Sequence, residues 1–487
     1  MAADHPPCAT HASSPDTRSQ RSPLALATLL LGGFITVFDL FVVNVAIPSM
    51  QTTLAAGFAE IGWVIAGYEL AFGILLIAGG RLGDRYGRRR LFRLGLWGFV
   101  VASCLCGLAP DARSLIVARF LQGMAAAMLF PQIYALLRVM YDDAGRRRAF
   151  GLLGMTLGLA AIAGQVLGGL LVEGDLFGLG WRIIFLINLP VGAAALLATR
   201  ALPESSLPQA QRVDWRGIGL ASAGLLLLLL PLLEGPNAGW PRWTGLSMAL
   251  SLLMLLAFLR WEGRLAGRGD DPAIDTRLFR NLGFSLGSLV VLLIYSTASS
   301  LFLCFALLVQ TGLGLTPFAA GTLFAPASVG FIAASMLAPN VVARVGSMTM
   351  GVGALLYAAG IGWLMAAAGS LSQPPAPFAL MPALLLFGFG QGLSMTPLLN
   401  LVLGYVQERH AGMAAGFIST MQQVGGAFGV AIAGLFFVNT LQAANSGIPL
   451  AERYADAFSH AMRYNVTAIL LAALLIFWLA RYRPAGR

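Results

Sequence analysis

Apolar residues run along this chain in long blocks, and charged residues gather in the short gaps between them. The blocks are roughly 17 to 27 residues long, the length of helix that crosses a hydrocarbon core of about 30 Å. They are apolar around the whole helix circumference rather than along one stripe, as expected of segments in contact with lipid. Because lipid offers no partner to a bare N–H or C=O group, each block is predicted to be helical.

Fourteen apolar blocks predict an all-α integral membrane protein with 14 transmembrane helices, so both termini lie on one side of the membrane. The polar stretch 1–24 lacks the apolar core of a signal peptide, and we expect it to be a disordered cytoplasmic tail. The predicted spans are 25–47, 61–80, 92–109, 114–136, 149–172, 182–199, 217–233, 243–259, 283–309, 318–339, 348–368, 377–403, 413–438 and 464–480.

Charge supports this helix count and orients the chain. The 31 basic residues are all arginine, and the net charge is +10. With a cytoplasmic N-terminus, 25 of the 31 arginines fall in cytoplasmic tails and loops or at the adjoining helix end, five in outer loops or at the adjoining helix end, and one, Arg119, well inside a helix. This asymmetry obeys the positive-inside rule, so we interpret the charge as a topology signal rather than a nucleic-acid surface. The absence of Lys, with abundant Ala, Leu and Gly, is typical of a G+C-rich bacterium, and we expect the bacterial cytoplasmic membrane.

Three short echoes relate the first six predicted helices to the last six. Similar segments occur in the same order in both halves: 85–87 with 344–346, 120–123 with 389–392, and 165–169 with 422–426. They predict two six-helix bundles with helices seven and eight inserted between them. The predicted divisions are a tail (1–24), an N-terminal bundle (25–199), a linker with helices seven and eight (200–282), and a C-terminal bundle with a short cytoplasmic tail (283–487). Transporters with duplicated bundles place the substrate near the midplane between the halves.

The segment Gly80–Arg89 reads G-R-L-G-D-R-Y-G-R-R and matches the fixed positions of the signature G-x-L-x-D-R-x-G-R-K/R. With this match the chain resembles the major facilitator superfamily, and specifically its 14-span drug:H⁺ antiporter branch. In that family the loop latches the cytoplasmic side during the transport cycle. The resemblance implies the same role for six residues of this latch loop: Gly80, Asp84, Arg85, Gly87, Arg88 and Arg89.

Helices one, four and five carry further signatures of this branch. Asp39–Pro48 is similar to D-x-T-x-V-N-V-A-L-P, with Phe41 in place of the usual Thr. Arg119–Gly123 is similar to R-x-x-Q-G, which the family links to proton coupling, so Arg119 and Gln122 are implied coupling residues. Helix five resembles the antiporter motif, although Gln165 stands where the motif usually has Pro. Its small residues allow close helix approach, and they are Gly154, Gly158, Gly164, Gly168 and Gly169.

Few charged residues lie inside the predicted spans away from the span ends, namely Asp39, Glu69 and Arg119. Charges at such depth are costly and usually functional. At about 1.5 Å per helical residue, all three lie ~8 to 12 Å below the outer surface, in one layer. Two acids and one base leave a carboxyl unpaired, which suits proton exchange. Our hypothesis is that Asp39 and Glu69 carry proton or cation exchange and Arg119 tunes their charge. The alternative is that Arg119 simply neutralises Asp39 in a static pair.

Other polar residues inside the spans are candidates to line a substrate cavity. They lie in helix one, in the polar run 295–300 of helix nine, and in helices twelve and thirteen: Asn44, Tyr295, Ser296, Gln391 and Gln422. Gln165 is a further candidate for proton or substrate handling. Ser and Thr side chains also bond to carbonyls of their own helix, so the polar run has two interpretations at this stage.

The favoured function is proton-coupled efflux of small hydrophobic molecules, some of them cationic: drugs, antibiotics or metabolites. The proton gradient is the expected energy source, without cofactor or metal. ATP-driven transport by this chain is excluded, since a chain without Lys has no Gly-Lys-Ser/Thr phosphate loop. The expected partners are substrate, protons and membrane lipid, and not nucleic acid. The sequence does not decide whether a periplasmic adaptor also binds. A proton symporter or uniporter for a small metabolite is the first alternative. An integral-membrane enzyme is the second, disfavoured because all four histidines lie outside the predicted spans.

Overall fold

The computed structural model describes residues 22–207, 212–268, 270–369, 377–407, 410–444 and 447–481. These residues form helices without strands, and fourteen helices are long and apolar enough to cross a membrane. We number them α1 to α14: Pro23–Leu54, Phe58–Tyr86, Arg88–Gly107, Ala112–Met140, Arg148–Glu173, Gly180–Ala201, Trp215–Ala238, Arg242–Arg268, Leu282–Gly312, Pro317–Val345, Met348–Gly369, Phe378–Leu403, Gly412–Ala443 and Leu450–Arg481. The prediction of 14 spans is confirmed, whereas the predicted tail lies almost wholly outside the described residues.

Several helices extend past the apolar blocks that predicted them. The clearest case is α14, which begins at Leu450 rather than at 464. Its first turns carry charged residues such as Glu452 and Arg453, so the hydropathy pattern hides a helix that is amphipathic there. His460, which the predicted spans exclude, therefore lies within α14. The last turn of α9, Leu307–Gly312, is a π-helix, a form that occurs mostly as single turns.

Helices α1 to α6 and α9 to α14 form two bundles with the same internal packing. In the first bundle α4 packs against α2 and α3, and α1 packs against α5. In the second, α12 packs against α10 and α11, and α9 packs against α13. The predicted architecture of two six-helix bundles with an inserted pair is therefore confirmed. The inserted helices α7 and α8 pack on each other, and α7 also contacts α2 and α13.

Glycines allow close helix crossings in corresponding helix pairs of the two bundles, α2 with α4 and α10 with α12. A Cβ on Gly79 of α2 would lie 2.0 Å from the backbone oxygen of Ala127 in α4. A Cβ on Gly388 of α12 would lie 1.8 Å from the backbone oxygen of Ala327 in α10. Backbones at such spacing gain dispersion contacts that drive helix association in lipid. Any side chain at either position would force the two helices apart.

The bundles meet through α2 with α13 and α5 with α10. We call the end where α1, α5 and α9 finish the distal end, and the opposite end the proximal end. At the distal end Gln310 Nε2 donates to the Val45 carbonyl at 3.0 Å, and the Phe318 N–H donates to Glu173 Oε2 at 3.1 Å. Both hydrogen bonds cross between the bundles. They hold the distal end closed.

The face of α5 that meets α10 loses its neighbour towards the proximal end. A Cβ on Gly169 would lie 2.5 Å from the Pro317 carbonyl oxygen, and one on Gly158 would lie 3.8 Å from Ile332. Further along the same face, at Gly154, no atom lies within 4 Å of the corresponding position. Helices α5 and α10 therefore separate as they approach the proximal end.

Candidate ion-coupling site

Asp39 of α1 and Arg119 of α4 form a fully buried ion pair in the N-terminal bundle. Their side chains are 0% and 1% exposed, and Arg119 Nη1 lies 2.5 Å from Asp39 Oδ2. The same guanidinium donates through Nε to the Val64 carbonyl of α2 at 3.0 Å. Two residues that the sequence singled out separately are thus partners, and their bonds connect three helices.

Neutral polar side chains complete the coordination of this pair. Gln122 donates to Asp39 Oδ1 at 2.8 Å and accepts from Arg119 Nη1 at 2.7 Å. Asn188 of α6 also donates to Asp39 Oδ1, at 3.1 Å. Ser103 of α3 accepts from both Gln122 and Asn188, at 3.2 and 2.9 Å. Ser103 and Asn188 were not predicted from the sequence. The available signal was an amide or hydroxyl within an apolar block, which is weaker than a charge.

Aromatic rings cover the remaining face of the guanidinium. The Arg119 Cζ atom lies 4.2 Å from the centroid of the Tyr68 ring and 5.7 Å from that of Phe185. Cation–π contacts of this kind strengthen when they are desolvated. The pair is therefore charge-balanced, hydrogen-bonded on both of its members and buried. This is the geometry that the static-pair interpretation of Asp39 and Arg119 describes.

Glu69 lies apart from this network, at the junction of the two bundles. Its residue surface is 2% exposed, and Oε1 accepts a hydrogen bond from Ser299 Oγ of α9 at 2.6 Å. Oε2 has no hydrogen-bond partner among the described residues. A Cβ on Gly426 of α13 would lie 2.5 Å from that oxygen. The carboxyl group thus belongs to a helix of one bundle and contacts two helices of the other. The three charged residues that the sequence placed in one layer therefore form two separate features: the buried pair of Asp39 with Arg119, and Glu69 at the junction of the bundles.

The C-terminal bundle contains a second buried polar network, which is neutral. Thr297 Oγ1 and Tyr357 OH of α11 lie 2.9 Å apart. Asn465 of α14 donates to the Thr297 carbonyl at 3.0 Å and accepts from Ser300 Oγ at 2.9 Å. Gln391 of α12 reaches Tyr357 OH only at 3.5 Å. Of these residues the sequence singled out Gln391 and the polar run 295–300, but not Tyr357 or Asn465.

The other cavity candidates occupy varied positions. Ser296 accepts from Tyr464 OH at 2.8 Å and is itself bonded to the Leu293 carbonyl at 2.8 Å, so it belongs to the buried C-terminal network. Tyr295 and Gln422 are partly exposed. Asn44 donates to carbonyls of its own helix at 3.3 Å, while its Oδ1 has no partner among the described residues.

The latch loop contacts the segment that follows α6. Arg88 forms an ion pair with Asp84, with Nη2 and Oδ1 2.7 Å apart. Arg89 donates its backbone N–H to Glu204 Oε1 at 3.1 Å. Gly87 has a φ of 106°, a conformation that favours glycine, and it joins α2 to α3 without a longer loop. Gly80 lies within the last turns of α2, and the Arg85 guanidinium lies beside the ring of its chain neighbour at 5.4 Å.

The antiporter-motif glycines of α5 serve different neighbours. Gly164 and Gly168 face α1, where added Cβ atoms would lie 3.0 Å from the Phe38 carbonyl oxygen and 2.5 Å from Val42 Cγ2. Gly169 and Gly158 face α10, and Gly154 faces the space between the separated proximal parts of α5 and α10. Gln165 extends an amide towards the Phe41 carbonyl of α1 at 3.5 Å. The α-helix that contains the α5 span begins earlier, at Asp143, and is continuous to Glu173.

Comparisons with known proteins agree with this architecture. Residues 29–430 match the sequence profile of the Major Facilitator Superfamily. Similar curated proteins include the probable actinorhodin transporter of Streptomyces coelicolor, 36% identical over 86% of this chain and 72% of that one. The puromycin resistance protein pur8 of Streptomyces alboniger is 35% identical over 92% of this chain and 90% of that one. The cephamycin export protein CmcT of Amycolatopsis lactamdurans is 34% identical, with 96% of each chain covered.

Solved structures show the same fold at low sequence identity. A bacterial homologue of the human lysosomal transporter Spinster, in an inward-facing and unoccupied conformation, superposes with a TM-score of 0.68. It is 17% identical, and the match covers 97% of this chain and all of that one. The family match also shows that the second alternative, an integral-membrane enzyme, is wrong. This chain belongs to the Major Facilitator Superfamily and is a multi-pass membrane transporter of small molecules.

Proposed function

We propose that the protein exports small hydrophobic molecules, some of them cationic, in exchange for protons, and that Glu69 is the exchanging carboxyl group. The observation that carries the proposal is the position of Glu69: buried between the bundles, with one oxygen bonded to Ser299 and the other without a partner among the described residues. Access to the two sides of the membrane alternates through movement of one bundle against the other. A carboxyl at their junction changes its surroundings with each movement.

The chemistry of this position favours coupling to a proton. An ionised carboxylate without a compensating charge is costly to bury, and a proton removes that charge. Ser299 Oγ can donate to the carboxylate or accept from the acid, since a hydroxyl does both. A closed junction thus accommodates the protonated group, and an open junction allows the proton to leave. A cationic substrate can replace the proton on the same carboxylate, which gives exchange without simultaneous binding.

Asp39 and Arg119 take a positioning role in this proposal. Their charges cancel, and both Asp39 oxygens and the Nε and Nη1 atoms of Arg119 are hydrogen-bonded within the N-terminal bundle. Through Nε, Arg119 holds the Val64 carbonyl of α2, about one and a half turns before Glu69 on the same helix. The pair therefore fixes the height and rotation of the helix that carries the exchanging group. This narrows the hypothesis from the sequence, which gave Asp39 an exchange role as well.

The arginine distribution and the names of the relatives support the direction of transport. The positive-inside rule places the proximal end, with its gap between α5 and α10, on the cytoplasmic side, and both termini with it. A cytoplasmic opening admits molecules made or accumulated inside the cell. The similar curated proteins are named for export of, or resistance to, antibiotics. Amphipathic antibiotics and secreted metabolites are therefore the proposed substrates, and the bacterial cytoplasmic membrane is the proposed location.

Everted membrane vesicles with an imposed pH gradient and a fluorescent cationic dye test the proposal. The wild-type protein is expected to build a dye gradient that vanishes when the pH gradient is collapsed. Glu69→Gln is expected to abolish this gradient, because a neutral amide carries no exchangeable proton. The matched control is Glu234→Gln, which removes a partly buried acid of α7 whose partner is Trp63 Nε1 at 2.9 Å. Dye accumulation by Glu69→Gln at the wild-type level, with dependence on the pH gradient retained, would overturn the assignment.

A further inference from the structure

The inserted helices α7 and α8 bring together two further buried acids that the transport mechanism does not use. Glu262 of α8 is 0% exposed, and Asp214, the residue that caps α7, is 9% exposed. Both lie at the proximal end, where α7 begins and α8 finishes. Glutamate and aspartate are rarely buried without a partner, so the surroundings of these two carboxyls need a physical account.

Three of the four carboxyl oxygens have donors, and the fourth does not. Asp214 accepts from the Gly217 N–H at 3.0 Å and from Trp261 Nε1 at 2.9 Å. Glu262 Oε2 accepts from the Ile274 N–H at 2.9 Å, whereas its Oε1 has no partner among the described residues. That oxygen and Asp214 Oδ2 face the same glycine. A Cβ on Gly217 would lie 2.2 Å from the first and 2.4 Å from the second.

Positive charge close to these acids comes from the end of α2. Arg81, 8% exposed, directs its guanidinium to backbone carbonyls on both sides of the inserted pair. It donates to the carbonyls of Arg212, at 2.9 Å, of Asp271, at 3.2 Å, and of Pro272. The segments before α7 and after α8 are thus attached to one side chain of the helix that leads into the latch loop.

The charged groups around the two acids do not neutralise both. Arg81 approaches from α2, and Asp271 from the segment after α8 adds a further negative charge beside it. Arg216 of α7 lies over the Trp261 ring, with its Cζ atom 5.4 Å from the ring centroid. Two facing carboxylates would therefore repel each other in a buried site. One proton between them removes the repulsion and supplies the missing donor.

We propose that Asp214 and Glu262 share one proton, and that this proton-binding site fastens the inserted helix pair to the end of α2. The proton sits on Glu262 Oε1 and is donated to Asp214 Oδ2, which leaves one negative charge near Arg81. When the proton leaves, the two carboxylates separate and loosen the segments that Arg81 holds. Arg81, to which the site is fastened, lies about 18 Å along α2 from Glu69, at 1.5 Å per residue. The site therefore senses the proton concentration at the proximal end separately from the exchanging carboxyl.

Infrared spectroscopy of the purified full chain in lipid nanodiscs tests this directly. A protonated carboxyl has a carbonyl stretch distinct from that of a carboxylate, and this band is followed as pH rises. All measurements use the Glu69→Gln background, so that Glu69 does not contribute. Glu262→Gln is expected to lose the titrating band, whereas Glu234→Gln is expected to keep it. A band that persists unchanged in Glu262→Gln would overturn the proposal.

Thermal unfolding across pH provides a second measurement. The folded pair holds a proton that the separated acids of the unfolded chain release, so stability decreases as pH rises. One such proton changes the unfolding equilibrium by up to about tenfold per pH unit. Glu262→Gln and Asp214→Asn each replace the shared proton with an amide donor, and both are expected to flatten this dependence. If one variant fails to fold, the test rests on the variant that folds. If the stability of that variant depends on pH as steeply as that of the wild-type protein, the shared proton is contradicted.

Discussion

Each bundle buries a polar network on the equivalent helices, but only the N-terminal network contains charge. Asp39, Ser103, Gln122 and Asn188 come from α1, α3, α4 and α6. The C-terminal residues come from the helices that occupy the same places in the repeat, α9, α11, α12 and α14: Thr297, Ser300, Tyr357, Gln391 and Asn465. The internal repeat has thus kept the positions of the polar residues while changing their chemistry.

The difference shows why a charged network needs more partners than a neutral one. Asp39 Oδ1 alone accepts from both Gln122 and Asn188, and Arg119 is bonded on Nε and Nη1 and stacked against Tyr68. In the C-terminal network most members have one or two bonds, several of them to carbonyls of their own helix. Burying an ion pair is favourable only when additional hydrogen bonds satisfy its remaining atoms. We therefore expect the charged network of the N-terminal bundle to tolerate substitution poorly.

The largest expected effect comes from removing one charge of the pair. Asp39→Leu leaves Arg119 as an uncompensated buried cation, which costs about 3–5 kcal/mol. We expect loss of folded protein, measured as the monodisperse yield after purification and as the thermal midpoint. Asp39→Leu combined with Arg119→Met removes both charges and is expected to recover much of the yield. Equal losses in the single and double variants would show that the pair does not act as a unit.

A smaller effect is expected for Gln122→Leu, which keeps both charges but removes the side chain that bridges them. Hydrogen bonds to charged groups contribute about 1.5–3 kcal/mol, and Gln122 makes two, at 2.7 and 2.8 Å. The thermal midpoint should fall, but folded protein should remain. The matched variant Gln132→Leu removes another buried glutamine of α4, which bonds only to neutral carbonyls, and its midpoint should fall less. A larger fall for Gln132→Leu would contradict the special cost of the charged network.

In the neutral network Asn465 is the side chain that bridges two other members, as Gln122 bridges Asp39 and Arg119 in the charged network. Asn465→Leu removes bonds to the Thr297 carbonyl and to Ser300 Oγ, at 3.0 and 2.9 Å. Hydrogen bonds between transmembrane helices contribute about 0.6 kcal/mol on average, with maxima near 1.7 kcal/mol. We therefore expect a loss of about 1 kcal/mol, less than for Gln122→Leu, in the same thermal assay. A loss as large as that of Asp39→Leu would remove the distinction between the two bundles.

The sequence predicted the fold well because span number depends on the length of apolar blocks, which the bilayer thickness sets. It also identified Asp39, Arg119 and Gln122, since charges inside a span and a family signature are strong signals. Ser103 and Asn188 carry neither signal. In the C-terminal bundle Tyr357 and Asn465 are polar residues in apolar blocks, and such residues are as compatible with a bond to their own helix as with a network.

The depth of Glu69 along its helix does not determine the direction in which its side chain points. Counting residues placed it level with Asp39 and Arg119, but that direction depends on the rotation of α2. That rotation is normally set by which face of a helix is apolar and exposed to lipid. Helix α2 is 89% buried along its most apolar stretch, between its own bundle, α7 and α13. An apolar helix buried on every side has no exposed face to orient it.

The smallest effect is expected at Gln391, the residue that echoes Gln122 in the repeat. Its amide reaches Tyr357 OH only at 3.5 Å, and Tyr357 also has Thr297 as a closer partner at 2.9 Å. Gln391→Leu should therefore change stability by only about 0.5 kcal/mol, since a long neutral hydrogen bond contributes little. Unchanged stability with altered dye transport would give Gln391 a role in the substrate pathway instead of in the bundle core. Destabilisation equal to that of Gln122→Leu would mean that position within the repeat, and not the charge of its neighbours, sets the cost.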